Sequence, residues 1–128
     1  MKNNSWEAAA SLSAGISVIF LALAAHTLKD SLGFDKVSSI TTAAQIQLFH
    51  AISVIILSIH QKNVDLEWTR RLLFSGSLIF SISIYFLATI PLTGFTFLKF
   101  LGPITPFGGL LLIVGWFMGA IKFLQNKK

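Results

Sequence analysis

Few side chains of this chain could do chemistry, and most of them lie near one end of a long apolar stretch. His26 closes the first stretch, and Gln47 and His50 lie three residues apart in the second. Residues three apart share one face of a helix, so the amide and the imidazole are expected side by side. Tyr85 lies late in the third stretch, and Thr105 opens the fourth. Together these residues predict one polar cluster.

Three interpretations of this cluster stay open. His50 and Gln47 could hydrogen-bond to the first or fourth helix and so hold helices together. The cluster could line a pocket for a small molecule or a lipid headgroup, since polar groups inside a membrane often mark functional sites. His26 and His50 could also bind haem or a metal, although no cysteine supports them, which makes the metal signature weak.

Catalytic constellations are missing from the sequence. The chain has no cysteine, and its five acidic residues all lie at the ends of the apolar stretches or between them. A proton-coupled exporter would need a buried carboxylate. Ser77 and Ser81 lie in no GxSxG motif, which a serine hydrolase of the α/β type would show. We therefore expect a protein that is not an enzyme and that has no cofactor.

The composition indicates a membrane protein of a single domain, residues 1–128. The chain is 54% hydrophobic and only 12% charged, and its mean hydropathy is +0.75. Four apolar stretches, residues 8–28, 42–60, 72–90 and 106–123, each approach the ~20 residues that cross a bilayer. The short connections predict an all-α integral membrane protein, an antiparallel bundle of four transmembrane helices.

Small residues recur on one face of every predicted span, which is typical of helices that pack closely in lipid. In the fourth span, Gly108, Leu112, Gly115 and Gly119 share a face. In the first span the corresponding residues are Ala8, Ser11, Gly15, Ala22 and Ala25. The predicted packing positions are Gly15, Ser77, Ser81, Gly108, Gly109, Gly115 and Gly119.

The stretch LGPITPFGG, residues 101–109, predicts how the fourth helix begins. Pro103 is expected to keep the preceding chain extended. Thr105 is a good cap for free backbone N–H groups, and Pro106 suits the first helical position. This stretch therefore predicts a turn that enters the membrane, followed by a helix from Pro106.

The distribution of cations predicts the orientation, because cytoplasmic loops are enriched in Lys and Arg. Seven cations fall on the side of the termini and only three on the other side, which places both termini in the cytoplasm. The seven are Lys2, Lys62, Arg70, Arg71, Lys122, Lys127 and Lys128. Trp6 and Trp68 are expected at the same interface. The net charge of +5 is thus explained by membrane anchoring, and we expect no nucleic-acid partner.

The chain resembles domain-of-unknown-function family 423, the YgdD/YwdK-type small inner-membrane proteins of bacteria. The resemblance rests on AAHTL ending the first span, QIQLFHA in the second, FSGSL opening the third and LGPITPFGG followed by GW in the fourth. The first span ends in LALAAHTL where the family usually has a stretch like GAFGAHGL, so the chain looks like a divergent member. The resemblance implies a four-helix protein of the bacterial cytoplasmic membrane and no particular reaction.

These observations favour a non-enzymatic protein that structures or assists a larger membrane complex or organises lipid. Its expected partners are the lipid bilayer and such a complex. Two alternatives remain from other classes: an oligomeric transporter or channel for a small solute, and a haem or metal protein that uses His26 and His50.

Overall fold

Four long α-helices make up the architecture. The computed structural model describes residues 3–60 and 64–126, with α1 at Asn3–Ala25, α2 at Phe34–His60, α3 at Glu67–Thr93 and α4 at Ile104–Gln125. A short 3-10 helix, Thr96–Leu101, connects α3 to α4. All four helices are long and apolar enough to cross a membrane. The predicted all-α, four-helix architecture is confirmed.

Two helices extend well beyond their predicted spans. α2 begins at Phe34 rather than near residue 42, and α3 begins at Glu67 rather than near residue 72. The sequence prediction counted apolar residues, whereas a helix continues through polar residues outside the hydrocarbon. At ~1.5 Å per residue a helix of this length spans about 40 Å, and the hydrocarbon core is only about 30 Å thick.

The first helix ends earlier than predicted. α1 stops at Ala25, and the next residues form turns in which the Leu28 N–H donates to the Leu23 carbonyl at 2.8 Å. Leu32, only 5% exposed, ties this connection to the core. His26 therefore belongs to a connection and not to a span.

α2 and α3 form the centre of the bundle. The extensive helix contacts join α1 to α2, α2 to α3, and α3 to α4. α1 also reaches α3 where the rings of Phe20 and Tyr85 stack, and α4 reaches α2 where Trp116 meets His50. α1 and α4 are consequently the peripheral helices, each with a broad face turned outwards.

The interior contains two apolar clusters. One, near the end of the bundle where α1 begins, is formed by Trp6, Ala10, Ala51, Val54, Leu57, Leu66, Leu73 and Leu112. The other, at the opposite end, is formed by Ala24, Leu32, Ile40, Ala43, Ala44, Tyr85 and Ala88. On α2, Gln47 lies between Ala44 of one cluster and Ala51 of the other, so a polar layer separates the two.

The start of α4 differs from the prediction. The helix begins at Ile104, and both Gly102 (φ −52°, ψ −54°) and Pro103 (φ −64°, ψ −21°) already have helical backbone angles. Thr105 is therefore not a cap; its hydroxyl donates to the Leu101 carbonyl at 3.3 Å. The reason is the preceding 3-10 helix, which continues almost directly into α4, so no extended segment precedes Pro103.

Two residues assigned to the interface by sequence lie inside the bundle. Arg70, expected in a connection, belongs to α3 and has no exposed surface, and Trp6 is only 7% exposed. Trp68 is 61% exposed, as an interfacial indole would be. Among the cations that set the predicted orientation, Lys2, Lys62, Lys127 and Lys128 lie outside the described residues.

Candidate functional site: polar contacts inside the bundle

Gln47 links three helices in the polar layer. Its amide nitrogen donates to the Ser13 carbonyl at 3.0 Å and to the Ser13 hydroxyl at 3.1 Å. Its amide oxygen accepts a hydrogen bond of 2.8 Å from the Tyr85 hydroxyl. Gln47 is 1% exposed and Ser13 is 3% exposed. A buried amide whose donors and acceptor are all used fixes the register of α1, α2 and α3.

An aromatic stack adds to the contact between α1 and α3 beside Gln47. The rings of Phe20 and Tyr85 lie parallel, with centroids 3.7 Å apart. A cleft of about 460 Å³ borders this stack between α1 and α3, lined by Ile16, Phe20, Leu78 and Phe86 among others. Tyr85 and Gln47 lie at the cleft, but their hydrogen-bonding atoms face each other. The cleft therefore presents apolar surface.

His50 bonds to α4 rather than to Gln47 or its partners Ser13 and Tyr85. Its Nδ1 lies 2.7 Å from the Ile46 carbonyl, and its Nε2 lies 3.1 Å from the Trp116 indole nitrogen. A carbonyl only accepts and an indole N–H only donates. These partners assign a neutral imidazole that carries its proton on Nδ1. Both ring nitrogens are thereby used.

The hydrogen bonds of His50 leave neither of its ring nitrogens free for a metal or a haem iron. A metal at His50 would have to displace either the Trp116 or the Ile46 hydrogen bond. His26 is exposed in the connection after α1 and makes no side-chain hydrogen bond within the described residues. Across residues 3–60 and 64–126 there is no group of three or more His, Cys, Asp or Glu side chains placed to hold a metal ion.

Hydroxyl groups make two further contacts between helices. Ser81 of α3 donates to the Ala43 carbonyl of α2 at 2.8 Å. The hydroxyls of Ser83 and Thr105 lie 2.7 Å apart and join α3 to α4. Ser77, in contrast, is buried but bonds within α3, to the Phe74 carbonyl.

The predicted polar cluster is thus divided. Gln47 and Tyr85 are brought together, His50 pairs with Trp116, and Thr105 pairs with Ser83. His26 joins none of them. Each pair connects a different set of helices, and none leaves a free nucleophile or base beside a second reactive group.

The glycines of α4 allow close packing on α3. The buried residues of α4 are Gly108, Leu112, Gly115 and Gly119, the face that the sequence pattern singles out. A Cβ at Gly108 would lie 2.5 Å from the Phe80 backbone nitrogen. Gly109 is half-buried, and a Cβ there would meet only the Phe80 ring at 3.9 Å. Backbones therefore meet at Gly108.

Gly15 is a correction to the predicted packing positions. It is exposed, and a Cβ there would have nothing within 4 Å. The other small residues of its face are exposed as well: Ala8, Ser11, Ala22 and Ala25. α1 instead packs through a second face, formed by Trp6, Ala10, Ser13, Ser17 and Ala24. Periodicity identifies a face but not whether a neighbour covers it.

A buried arginine joins helices at the end where α1 begins. Arg70 forms an ion pair with Glu67, donates to the Ser58 hydroxyl at 3.2 Å and lies 5.5 Å from the centre of the Trp6 ring. Glu67 also accepts from Arg71 at 2.9 Å. Because an unpaired buried charge is very unfavourable, this set holds the ends of α1, α2 and α3 in one arrangement.

Sequence reasoning missed several of these residues. Ser13 and Phe20 carry no pattern that points to Gln47 and Tyr85, because their contacts join distant parts of the chain. Arg70 was missed because two adjacent arginines at the end of an apolar stretch look alike in sequence, although Arg71 is half-exposed and Arg70 is buried. For the contact between α3 and α4 a sequence signal was available. Gly76 is a glycine of α3, four residues before Phe80, and it lies where the Gly108 backbone approaches.

Known proteins show where this chain belongs. Residues 20–109 match the model of the family described as "Protein of unknown function (DUF423)". The chain belongs to this family. A "UPF0382 membrane protein" of Staphylococcus epidermidis is 34% identical over 106 residues, 81% of this chain and 82% of that protein. "UPF0382 inner membrane protein YgdD" of Escherichia coli is 30% identical over 122 residues, 93% and 88% of the two chains.

Relatives of this chain are not confined to bacteria. A "UPF0382 membrane protein" of Schizosaccharomyces pombe is 38% identical over 76 residues, 59% of this chain and 64% of that protein. No solved structure matches the chain. The names of the relatives and the four apolar helices together make this chain a membrane protein of the DUF423 family.

Proposed function

We propose that this protein is a non-enzymatic structural or accessory subunit of a membrane complex, which it joins through the outward face of α1. The observation that carries the proposal is the exposed row of small residues, Ala8, Ser11, Gly15, Ala22 and Ala25. In lipid, small residues favour the close approach of a second helix. The same kind of face on α4 is already covered by α3.

The shape of this face supports the proposal. Leu12 and Ile19, 71% and 59% exposed, flank Gly15. Together with Ala8 and Ser11 they line a shallow groove of about 640 Å³. A helix of a partner would fit between the large side chains and contact the backbone of α1 at Gly15.

The interior supports a role without catalysis. Gln47, Tyr85 and His50 use their polar side-chain atoms in hydrogen bonds inside the bundle. Groups committed in this way stabilise one arrangement of the bundle and offer no base or nucleophile to a substrate.

The test uses the different tolerance of the fold and of the interface to a large side chain. Gly15→Leu should leave the bundle intact, because a Cβ at this position meets nothing. Ala120→Leu, which adds a large side chain at an exposed position of α4, is the matched control. Native mass spectrometry of protein extracted gently at natural expression should show a larger hetero-complex for the wild type and for Ala120→Leu, and the free subunit for Gly15→Leu.

Two results would overturn the proposal. One is a complex that Gly15→Leu leaves unchanged. The other is an activity, either solute flux in liposomes or turnover of a substrate that is lost on His50→Ala. Flux would favour the transporter class and turnover would favour an enzyme.

The proposal includes a cytoplasmic-membrane location with both termini in the cytoplasm. Arg70, Arg71 and Lys122 lie at the end of the bundle where α1 begins and α4 ends, whereas Lys29, Lys36 and Lys99 lie at the other. Because the chain has no cysteine, single cysteines at Lys122 and Lys99 can be labelled with an impermeant maleimide. Labelling of the Lys99 position alone in intact cells is expected, and the reverse pattern would refute this orientation.

A further inference from the structure

The cleft between α1 and α3 occupies one half of the bundle only. On α3 its lining runs from Leu78, near the middle of the helix, to Thr89, four residues before the helix ends. This stretch covers about 16 Å at ~1.5 Å per residue, roughly half of a hydrocarbon core of ~30 Å. On α1 the lining is Ile16 and Phe20, which lie between the middle of that helix and its end. The cleft therefore has the depth of one leaflet, at the end of the bundle where α1 ends.

Aromatic rings close the gap between α1 and α3 in the other half of the bundle. Trp6 of α1 and Phe74 of α3 meet edge to face there, with their ring centroids 5.8 Å apart. A transmembrane helix of a partner would need a groove that runs through both leaflets. The contact between Trp6 and Phe74 interrupts such a groove. The cleft therefore suits a molecule, or a part of one, that stays within a single leaflet.

The lining of the cleft suits hydrocarbon. Its polar side chains are already bonded, since the Thr89 hydroxyl donates to the Tyr85 carbonyl at 3.0 Å and the Tyr85 hydroxyl donates to Gln47. The rest of the lining is apolar and consists of Ile16, Phe20, Leu78, Ile82 and Phe86. An occupant needs no polar group inside the cleft.

The size of the cleft matches one lipid chain. A cavity of about 150 Å³ takes up one benzene molecule, whereas the cleft has a volume of about 460 Å³. It has room for roughly three times as many carbon atoms, which is the size of one acyl chain. We propose that the cleft binds one acyl chain of a phospholipid of this leaflet, lying lengthwise between α1 and α3.

Dispersion contacts with the walls explain why a chain would stay in the cleft. Lipid tails are as apolar as leucine, so leaving the bilayer for the cleft gains nothing from the hydrophobic effect. The chain instead packs against two walls that are already in place. Binding should therefore depend on the shape of the walls and little on the headgroup. The proposal does not depend on the complex suggested for α1, although the two surfaces share Ile16.

The test measures the lipid retained by the full-length protein. After incubation in detergent with dipalmitoyl phosphatidylglycerol, native mass spectrometry should show one bound lipid on the wild type. Ile82→Trp fills the cleft from the α3 side and should lower the bound fraction about tenfold, a typical effect of overpacking. Ile113→Trp is the matched control, because it makes the same change at an exposed position of α4 outside the cleft. It should leave the bound fraction unchanged.

A second variant and a second lipid separate the cleft from other causes. Ile16→Trp fills the cleft from the α1 side and should lower the bound fraction as Ile82→Trp does. Both isoleucines are exposed, so both variants should fold, and circular dichroism checks their helix content. Dipalmitoyl phosphatidylcholine, which has the same chains and another headgroup, should bind to a similar extent.

Four results would overturn the proposal. One is a bound fraction that Ile82→Trp and Ile16→Trp both leave at the wild-type value. Equal loss in Ile113→Trp would mean that any bulky side chain on the lipid-facing surface removes lipid. A strong preference for one headgroup would place the binding site outside the cleft. Loss of a protein or another molecule, rather than a phospholipid, from Ile82→Trp would mean that the cleft has a different occupant.

Discussion

Gly108→Ala should open the contact between α3 and α4, whereas the same change at Gly109 should leave it closed. A Cβ at Gly108 would lie 2.5 Å from the nitrogen and 2.8 Å from the Cα of Phe80, and 2.9 Å from the Gly76 carbonyl oxygen. All three are backbone atoms, so no change of rotamer can relieve the overlap. At Gly109 the nearest atoms are in the Phe80 ring, at 3.9 and 4.0 Å.

The expected magnitude follows from these distances. Non-bonded carbons pack at about 3.5–4.0 Å, so the helices must separate by roughly 1 Å. A gap of this size removes about a quarter to a half of the dispersion attraction of each affected contact. We expect Gly108→Ala to lower the free energy of unfolding by about 3 kcal/mol, the upper part of the usual range for overpacking. Gly109→Ala should raise it by at most about 1 kcal/mol, through helix propensity.

Unfolding in mixed micelles, by titration with a denaturing detergent, measures both changes under one condition. Helix content from circular dichroism follows global unfolding. Trp116 lies on α4, so the exposure of its indole reports separation of α4 from α2. A Gly108→Ala protein as stable as the wild type would refute the close approach of the two backbones. Equal loss in both would show that α4 tolerates no added volume anywhere on this side.

Three other predictions concern the polar contacts. Arg70→Met should lower the free energy of unfolding by about 1–3 kcal/mol, because the buried Ser58 hydroxyl loses a charged donor, while the partly exposed Glu67 keeps its pair with Arg71. Arg71→Met, at a half-exposed position, should cost less than about 1 kcal/mol; the same titration decides. Trp116→Phe should cost about 1–2 kcal/mol, because the His50 Nε2 loses the donor that Trp116 supplies, and a stability equal to wild type would contradict this hydrogen bond. Tyr85→Phe keeps the stacked ring and should cost about 1 kcal/mol, and a loss above about 3 kcal/mol would show that the hydroxyl does more than bond to Gln47.

Much of the fold could be predicted because lipid imposes a simple rule. Every spanning segment must satisfy its own backbone, so long apolar stretches become helices, and short connections make neighbours antiparallel. The ends of the helices could not be read in the same way. α2 continues through Asp35 and Lys36 because polar residues lie comfortably in a helix once it leaves the hydrocarbon.

The polar site was predicted in its residues but not in its pairing. Gln47 and His50 share one side of α2, yet one bonds to α1 and α3 and the other to α4. The spacing of side chains along one helix fixes their relative directions. Which helix lies in each direction is a property of the whole bundle. For the same reason, the spacing of residues could not show that Tyr85 pairs with Gln47 rather than with His50.

The two peripheral helices make opposite use of small residues, and this difference supports an external role for the protein. α4 has one such face and buries it on α3. α1 has two: Ala10, Ser13 and Ser17 face the bundle, whereas Ala8, Ser11 and Gly15 face outwards. A peripheral helix needs only one close contact to hold its place. Large apolar side chains would serve an outward face as well in lipid, so we propose that a helix of a partner covers the second small face of α1.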